Sequence, residues 1–181
     1  MTHIKNLGSM LLSMLLILGF SNTQLNAQQT LKPGDKAPVF SLKNQDGNAV
    51  NLADYIGTHT IVLFFYPKDE SPVCTEEACA FRDAYALFTD ADAVVIGINS
   101  GTVESHKKFH VKDRLPFDLL SDPGNKILDA YGVKQEDLGN MKISGRETFV
   151  IGKDGNIVYR FRDFMKGKAH SEKVLTYLKG Q

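Results

Sequence analysis

The chain has 181 residues, with 21 Lys plus Arg against 21 Asp plus Glu and a formal net charge of zero. No long block carries one sign, which removes the electrostatic footprint of a nucleic-acid binder or of a protein held on an acidic membrane surface. Substrate must therefore be captured by local groups.

Lys5 precedes an apolar run, Leu11 to Phe20, which Ser13 interrupts. The run is shorter than the ~20 residues that span a bilayer. Small and polar residues follow, through Leu25-Asn26-Ala27. This pattern predicts a signal peptide over residues 1–27 and a single domain over 28–181, periplasmic or secreted, with no stable membrane association after cleavage. An anchor formed by an uncleaved N-terminal segment is the alternative, and the polar exit flank argues against it. No Cys lies near the segment, so a lipidated Cys is excluded.

In chain order, Lys36 to Leu42 and Ala49 to Leu52 flank the turn-rich Asn44-Gln45-Asp46-Gly47-Asn48 and predict a hairpin. Thr60 to Tyr66 is apolar on both faces and stops at Pro67, as a central buried strand would. A helix from Pro72 to about Asp90 and a second buried strand, Ala93 to Asn99, complete a right-handed parallel crossover. A helix over Val103 to Asp113 and a short strand at Phe117 to Leu120 come next. Asp122-Pro123 then caps a helix that Gly132 stops. Lys134 to Gly145 is polar and predicts an irregular loop long enough to serve a site. Glu147 to Ile151 and Ile157 to Phe161 flank Lys153-Asp154-Gly155-Asn156 as a second hairpin, and His170 to Lys179 closes as an amphipathic helix. The order implies one α/β domain with a mixed sheet.

The only two cysteines, Cys74 and Cys79, fall where the first buried strand turns into a helix. Ser71 reads as the N-cap and Pro72 as the first helical residue, which puts Cys74 in the first turn. There a thiol faces unpaired backbone N–H groups and the positive end of the helix dipole, both of which favour the thiolate. Cys74 is the expected nucleophile. Two cysteines in an exported chain ordinarily suggest a structural disulfide. Residues five apart on an ideal helix, however, have Cα atoms roughly 8.5 Å apart, whereas a disulfide requires less than about 7 Å. A bond between them forms only when that turn opens, which suits a redox cycle better than a staple.

Pro67-Lys68-Asp69-Glu70-Ser71-Pro72-Val73-Cys74 matches the pattern Pro-x-x-x-Thr/Ser-x-x-Cys, and on this motif the chain resembles the peroxiredoxins. The second Cys in Cys74-Thr75-Glu76-Glu77-Ala78-Cys79-Ala80-Phe81-Arg82-Asp83 is similar to the bacterioferritin comigratory protein, or peroxiredoxin Q, branch. The likeness extends through Pro33-Gly34-Asp35-Lys36-Ala37-Pro38, Leu120-Ser121-Asp122, Tyr131-Gly132-Val133 and Arg146-Glu147-Thr148-Phe149-Val150-Ile151. It implies a thioredoxin-like α/β fold with a central mixed β-sheet flanked by helices and an N-terminal β-hairpin. It also implies thiol-dependent reduction of hydrogen peroxide and organic hydroperoxides without a cofactor or metal.

By the same resemblance Cys74 is the peroxidatic cysteine, Cys79 the resolving one, Ser71 the hydroxyl residue, Pro67 the leading proline and Arg146 the arginine beside the thiolate. Ser71 departs from the commoner Thr, and Val73 from a frequent Gly. Sulfenic acid left on Cys74 would condense with Cys79 and so escape further oxidation. A thioredoxin-like dithiol reductant would then reopen the disulfide. With both cysteines in one helix, a monomer suffices.

Other features read more plainly. His106 and His110 have a metal-compatible spacing, but Lys107 and Lys108 suggest a solvated face. Glu76 and Glu77 suit the helix dipole without a catalytic role. Phe65, Tyr66 and Phe81 belong to the core or wall the peroxide pocket. Two rival readings keep the fold and change the function. An exported thiol-disulfide oxidoreductase would carry Cys-x-x-Cys, and a copper-binding assembly factor Cys-x-x-x-Cys with a distant His.

Overall fold

A computed structural model describes residues 30–181, so the signal-peptide expectation for residues 1–27 lies outside the described residues. Among the described residues no helix is long and apolar enough to cross a membrane. The elements run β1 (Ser41–Asn44), β2 (Ala49–Asn51), β3 (Thr60–Phe65), α1 (Pro72–Asp83), α2 (Tyr85–Asp90), β4 (Ala93–Asn99) and α3 (Val103–Asp113). They continue with β5 (Asp118–Ser121), α4 (Lys126–Ala130), β6 (Glu136–Leu138), β7 (Met141–Ile143), β8 (Glu147–Ile151), β9 (Ile157–Phe161) and α5 (Gly167–Lys179).

Seven strands form one sheet in the order β2-β1-β5-β4-β3-β8-β9. The pairs β3–β4 and β4–β5 are parallel; the remaining pairs are antiparallel, so the sheet is mixed as expected. The N-terminal hairpin pairs Leu42 with Val50. Period-2 alternation divides the core between the two faces. Ile61, Leu63 and Phe65 of β3 join Ile96, Tyr131 and Phe149 on one side. Val62, Phe64 and Tyr66 join Cys74, Ala78, Phe81, Phe109 and Val174 on the other. The second face, covered by α1, α3 and α5, carries Cys74.

Four local expectations change. The helix expected over 72–90 breaks at Ala84 (φ −100°, ψ 8°). Ala is the best helix former, so the break is tertiary in origin: it turns Phe88 onto Phe81 (ring centroids 5.5 Å) and Tyr85 onto Phe117 (6.2 Å). The helix after Asp122-Pro123 starts only at Lys126, yet Asp122 still caps it from a distance, accepting from the Ile127 and Leu128 amides at 2.9 and 3.0 Å. Residues 134–145 are not irregular but hold the small β6–β7 hairpin. Finally, α5 begins at Gly167, a turn before His170. A Cβ on Gly167 would lie 2.4 Å from the Val73 carbonyl oxygen, so only glycine lets α5 approach the first turn of α1 this closely.

Candidate active site

The C-terminal ends of β3 and β4, the first turn of α1 and the start of β8 converge on one cleft of about 780 Å³. Pro67, Ser71, Val73, Ile143, Arg146 and Phe164 contribute to its wall. Cys74 is 1 % exposed and packs among Tyr66, Ala78 and Phe81. Its sulfur meets the cleft through Arg146, whose Nη2 donates to Sγ at 3.2 Å.

Arg146 is a buried residue, not a surface arginine at a loop end. Its Nε donates to the Phe164 carbonyl at 3.0 Å, its Nη1 donates to Glu77 Oε2, and its guanidinium lies 6.0 Å from the Phe164 ring centroid. All the branches of its planar fork are thus occupied, which fixes the guanidinium against the sulfur. Its neighbour Gly145 permits this placement: a Cβ there would lie 1.9 Å from the Lys134 carbonyl oxygen.

Glu77 corrects the reading that the two helix glutamates serve the dipole alone. Glu76 is exposed, but Glu77 is fully buried and ion-paired to Arg146. Burial pushes its carboxyl up to about 8, although Arg146 opposes the rise. A sequence signal was available: residues 74, 77, 78 and 81 form one apolar stripe of α1, and a carboxylate on such a stripe needs a buried partner. Behind Glu77 stands His170, also fully buried. Its Nε2 faces the Asp163 carbonyl at 2.9 Å, which assigns the proton to Nε2 and leaves Nδ1 to accept from Thr148 Oγ1 at 2.8 Å. The Nδ1 atom also lies 3.4 Å from Glu77 Oε1, an oxygen without a hydrogen bond.

Burial lowers the His170 imidazole from 6.5 to about 4, and the Arg146 charge adds to the effect. The folded state therefore binds fewer protons than the unfolded chain between those values, and stability falls as pH drops through that window. The expected loss is on the order of 2 to 3 kcal/mol. Urea denaturation reads it by difference, since Glu77 offsets it in the wild type: relative to wild type, a His170→Gln variant should gain stability as pH falls from 7 to 4. Equal slopes would place the acid-labile group elsewhere. Glu77 acts with the opposite sign: its raised carboxyl makes the folded state costlier as pH rises from 4.5 towards 8.

The remaining expected residues fall as follows. Ser71 lines the cleft and is the N-cap of α1, but it makes no side-chain cap bond; its hydroxyl donates to the Lys68 carbonyl at 3.2 Å. Pro67 lines the cleft at the end of the β3 segment. Cys79 is half-buried on the same unbroken helix as Cys74, and both thiols are free. Its Sγ lies 4.0 Å from Asp113 Oδ1. Burial raises the Cys79 thiol, Asp113 and Asp83 add to the rise, and Arg82 opposes it. Phe65, Tyr66 and Phe81 are core residues, and Phe164 is the aromatic residue on the cleft wall. His106 lies on no solvated face; it is fully buried. Among the described residues no group of three or more His, Cys, Asp or Glu side chains is gathered to hold a metal ion.

Residues 33–160 match the AhpC/TSA family. The chain is 43% identical over 145 residues to the chloroplastic peroxiredoxin Q of Oryza sativa subsp. japonica, covering 80% of this chain and 65% of the rice protein. It thus spans about two thirds of the length of the curated relatives it matches. Among solved structures it is similar to peroxidoxin BcpB of Mycobacterium tuberculosis, with a TM-score of 0.76 and 32% identity over 83% of this chain and 97% of that one. The bacterioferritin comigratory protein of Xanthomonas campestris, described for its alkyl peroxide reduction activity, gives a TM-score of 0.74 and 28% identity over 82% and 98% of the two chains. The mixed sheet and its flanking helices are those of the thioredoxin-like peroxiredoxin fold.

Proposed function

Because this chain belongs to the AhpC/TSA family and is similar to peroxiredoxin Q proteins, and carries Cys74 and Cys79 five residues apart at a helix start, we propose that it is a thiol-dependent peroxidase acting on hydrogen peroxide and organic hydroperoxides. The observation that carries this reading is the contact of the buried Arg146 guanidinium with Cys74 Sγ at the first turn of α1, beside an open cleft.

A hydroperoxide in the cleft is attacked by the Cys74 thiolate at its terminal oxygen. The S–O bond forms, the O–O bond breaks, and the departing oxygen leaves as an alcohol or water once it takes up a proton. Arg146 supplies fixed positive charge where charge moves from sulfur to oxygen. The resulting Cys74 sulfenic acid condenses with Cys79: the S–S bond forms, the S–O bond breaks, and water departs with the Cys79 proton. Because α1 is continuous from Pro72 to Asp83, its first turns must unwind for the two sulfurs to meet. A thioredoxin-like dithiol then reduces the disulfide by exchange. Both cysteines act within one monomer. The residues before 28 serve as a cleaved leader that exports the domain, an assignment that N-terminal sequencing of protein from cells will test.

The direct test mixes reduced protein with an equimolar amount of hydroperoxide. Both free thiols should disappear for each peroxide consumed, and a Cys79→Ser variant should instead accumulate sulfenic acid on Cys74. Peroxide left unconsumed, or thiols lost without it, would overturn the assignment.

A further inference from the structure

Asp69 lies in the loop between β3 and α1, five residues before Cys74, and is buried. One carboxylate oxygen accepts from Tyr66 Oη at 2.8 Å and Asn99 Nδ2 at 3.0 Å; the other accepts from Ser105 Oγ at 2.5 Å and His106 Nδ1 at 2.8 Å. These donors sit at the end of β3, at the end of β4 and in the first turn of α3. Burial works against the Asp69 charge, but the bonds from His106, Ser105 and Tyr66 outweigh it and hold the carboxyl below its ordinary value. His106 also faces the Leu120 carbonyl at 3.2 Å, so each of its ring nitrogens lies against an oxygen and the ring is pinned between loop and sheet.

The residues between Asp69 and the first turn of α1 add little to this anchoring. Ser71 gives the helix amides no side-chain bond. Glu70 sits in the left-handed region at φ 56°, where a side chain is disfavoured, and its ion pair with Lys112 is exposed.

We propose that Asp69 is the latch of the active-site helix: a positioning residue whose four hydrogen bonds set the balance between the wound α1, with Cys74 beside Arg146, and the unwound turn in which Cys74 reaches Cys79. The proposal rests on the assignment of Cys74 and Cys79 made above. The two steps of the cycle see this balance from opposite sides. Peroxide meets the wound state, which is the major one. Disulfide formation draws on the minor, unwound state, so its rate scales with that small population. Loosening the latch multiplies the minor fraction while barely depleting the major one. The signature is a destabilising substitution that accelerates a chemical step.

The test compares wild type with Asp69→Ala and with the milder Ser105→Ala and Tyr66→Phe, each of which removes one donor. In rapid-mixing experiments Asp69→Ala should form the Cys74–Cys79 disulfide about tenfold faster or more, and the milder variants about two- to threefold faster. The peroxide concentration needed for overoxidation should rise in proportion, and peroxide cleavage should be unchanged or slower. Hydrogen exchange in the reduced proteins reads the same opening with no peroxide present: amides of residues 75–80 should exchange faster by a similar factor, while those of residues 61–65 in β3 keep their protection. Should Asp69→Ala not fold, the two milder variants decide. Closure and exchange unchanged or slowed, or protection lost equally in β3, would overturn the latch. A wild type inert to peroxide would overturn the peroxidase assignment, and the exchange data would still judge the latch.

Discussion

Replacing Cys74 with Ser is expected to reduce hydroperoxide turnover to the uncatalysed background. The reaction requires an ionised sulfur nucleophile, and a serine hydroxyl is neither ionised near neutral pH nor comparably nucleophilic towards peroxide oxygen. Cys79 cannot take over. It is half-buried beside Asp113, its thiol is raised by burial, and the Arg146 fork points at Cys74 instead. The substitution removes little volume from the packing against Tyr66, Ala78 and Phe81, so the variant should fold. Peroxide consumption with dithiothreitol as donor, wild type against Cys74→Ser at equal folded concentration, checks the expectation. Wild-type-like turnover in the variant would refute Cys74 as the nucleophile.

Arg146→Ala should slow peroxide cleavage by ~10²-fold or more, the range for removal of one preorganised charged donor at a reacting centre. It should also destabilise the fold, because Glu77 is then buried without its partner; breaking a buried pair from one side costs about 3–5 kcal/mol. Glu77 limits this loss: with its carboxyl already raised to about 8, it can take up a proton instead of staying charged. The double variant Arg146→Ala/Glu77→Gln separates the two effects. Its thermal stability should recover towards wild type, while its second-order rate with peroxide stays low. Recovery of both would make Arg146 a packing residue only. An unchanged rate in the single variant would remove Arg146 from the reaction.

The placement of Cys74 in the first turn of a helix was legible because its signals are local. Ser71-Pro72 marks a helix start within two residues, and the apolar run from Thr60 to Tyr66 marks the strand that leads into it. Arg146 was legible only through resemblance to a family, since nothing near it in the chain distinguishes a buried arginine from an exposed one. Glu77 was open to detection from the stripe it shares with Cys74, Ala78 and Phe81. Asp69 offered no such signal: an aspartate in a loop is ordinarily solvated, and the donors that bury it come from residues 66, 99, 105 and 106.

By itself, then, the chain determined the strands of its main sheet, the starts of α1 and α3 and the turn residues between strands, because backbone periodicity and capping act over a few residues. Tertiary structure alone decided the break at Ala84, the hairpin within residues 134–145 and the burial of His106, Arg146 and His170. Those outcomes depend on partners far apart in sequence, as Arg146 is from Cys74 and Glu77. A charged side chain goes inside only where the fold brings it a counter-charge and hydrogen-bond partners that offset its desolvation.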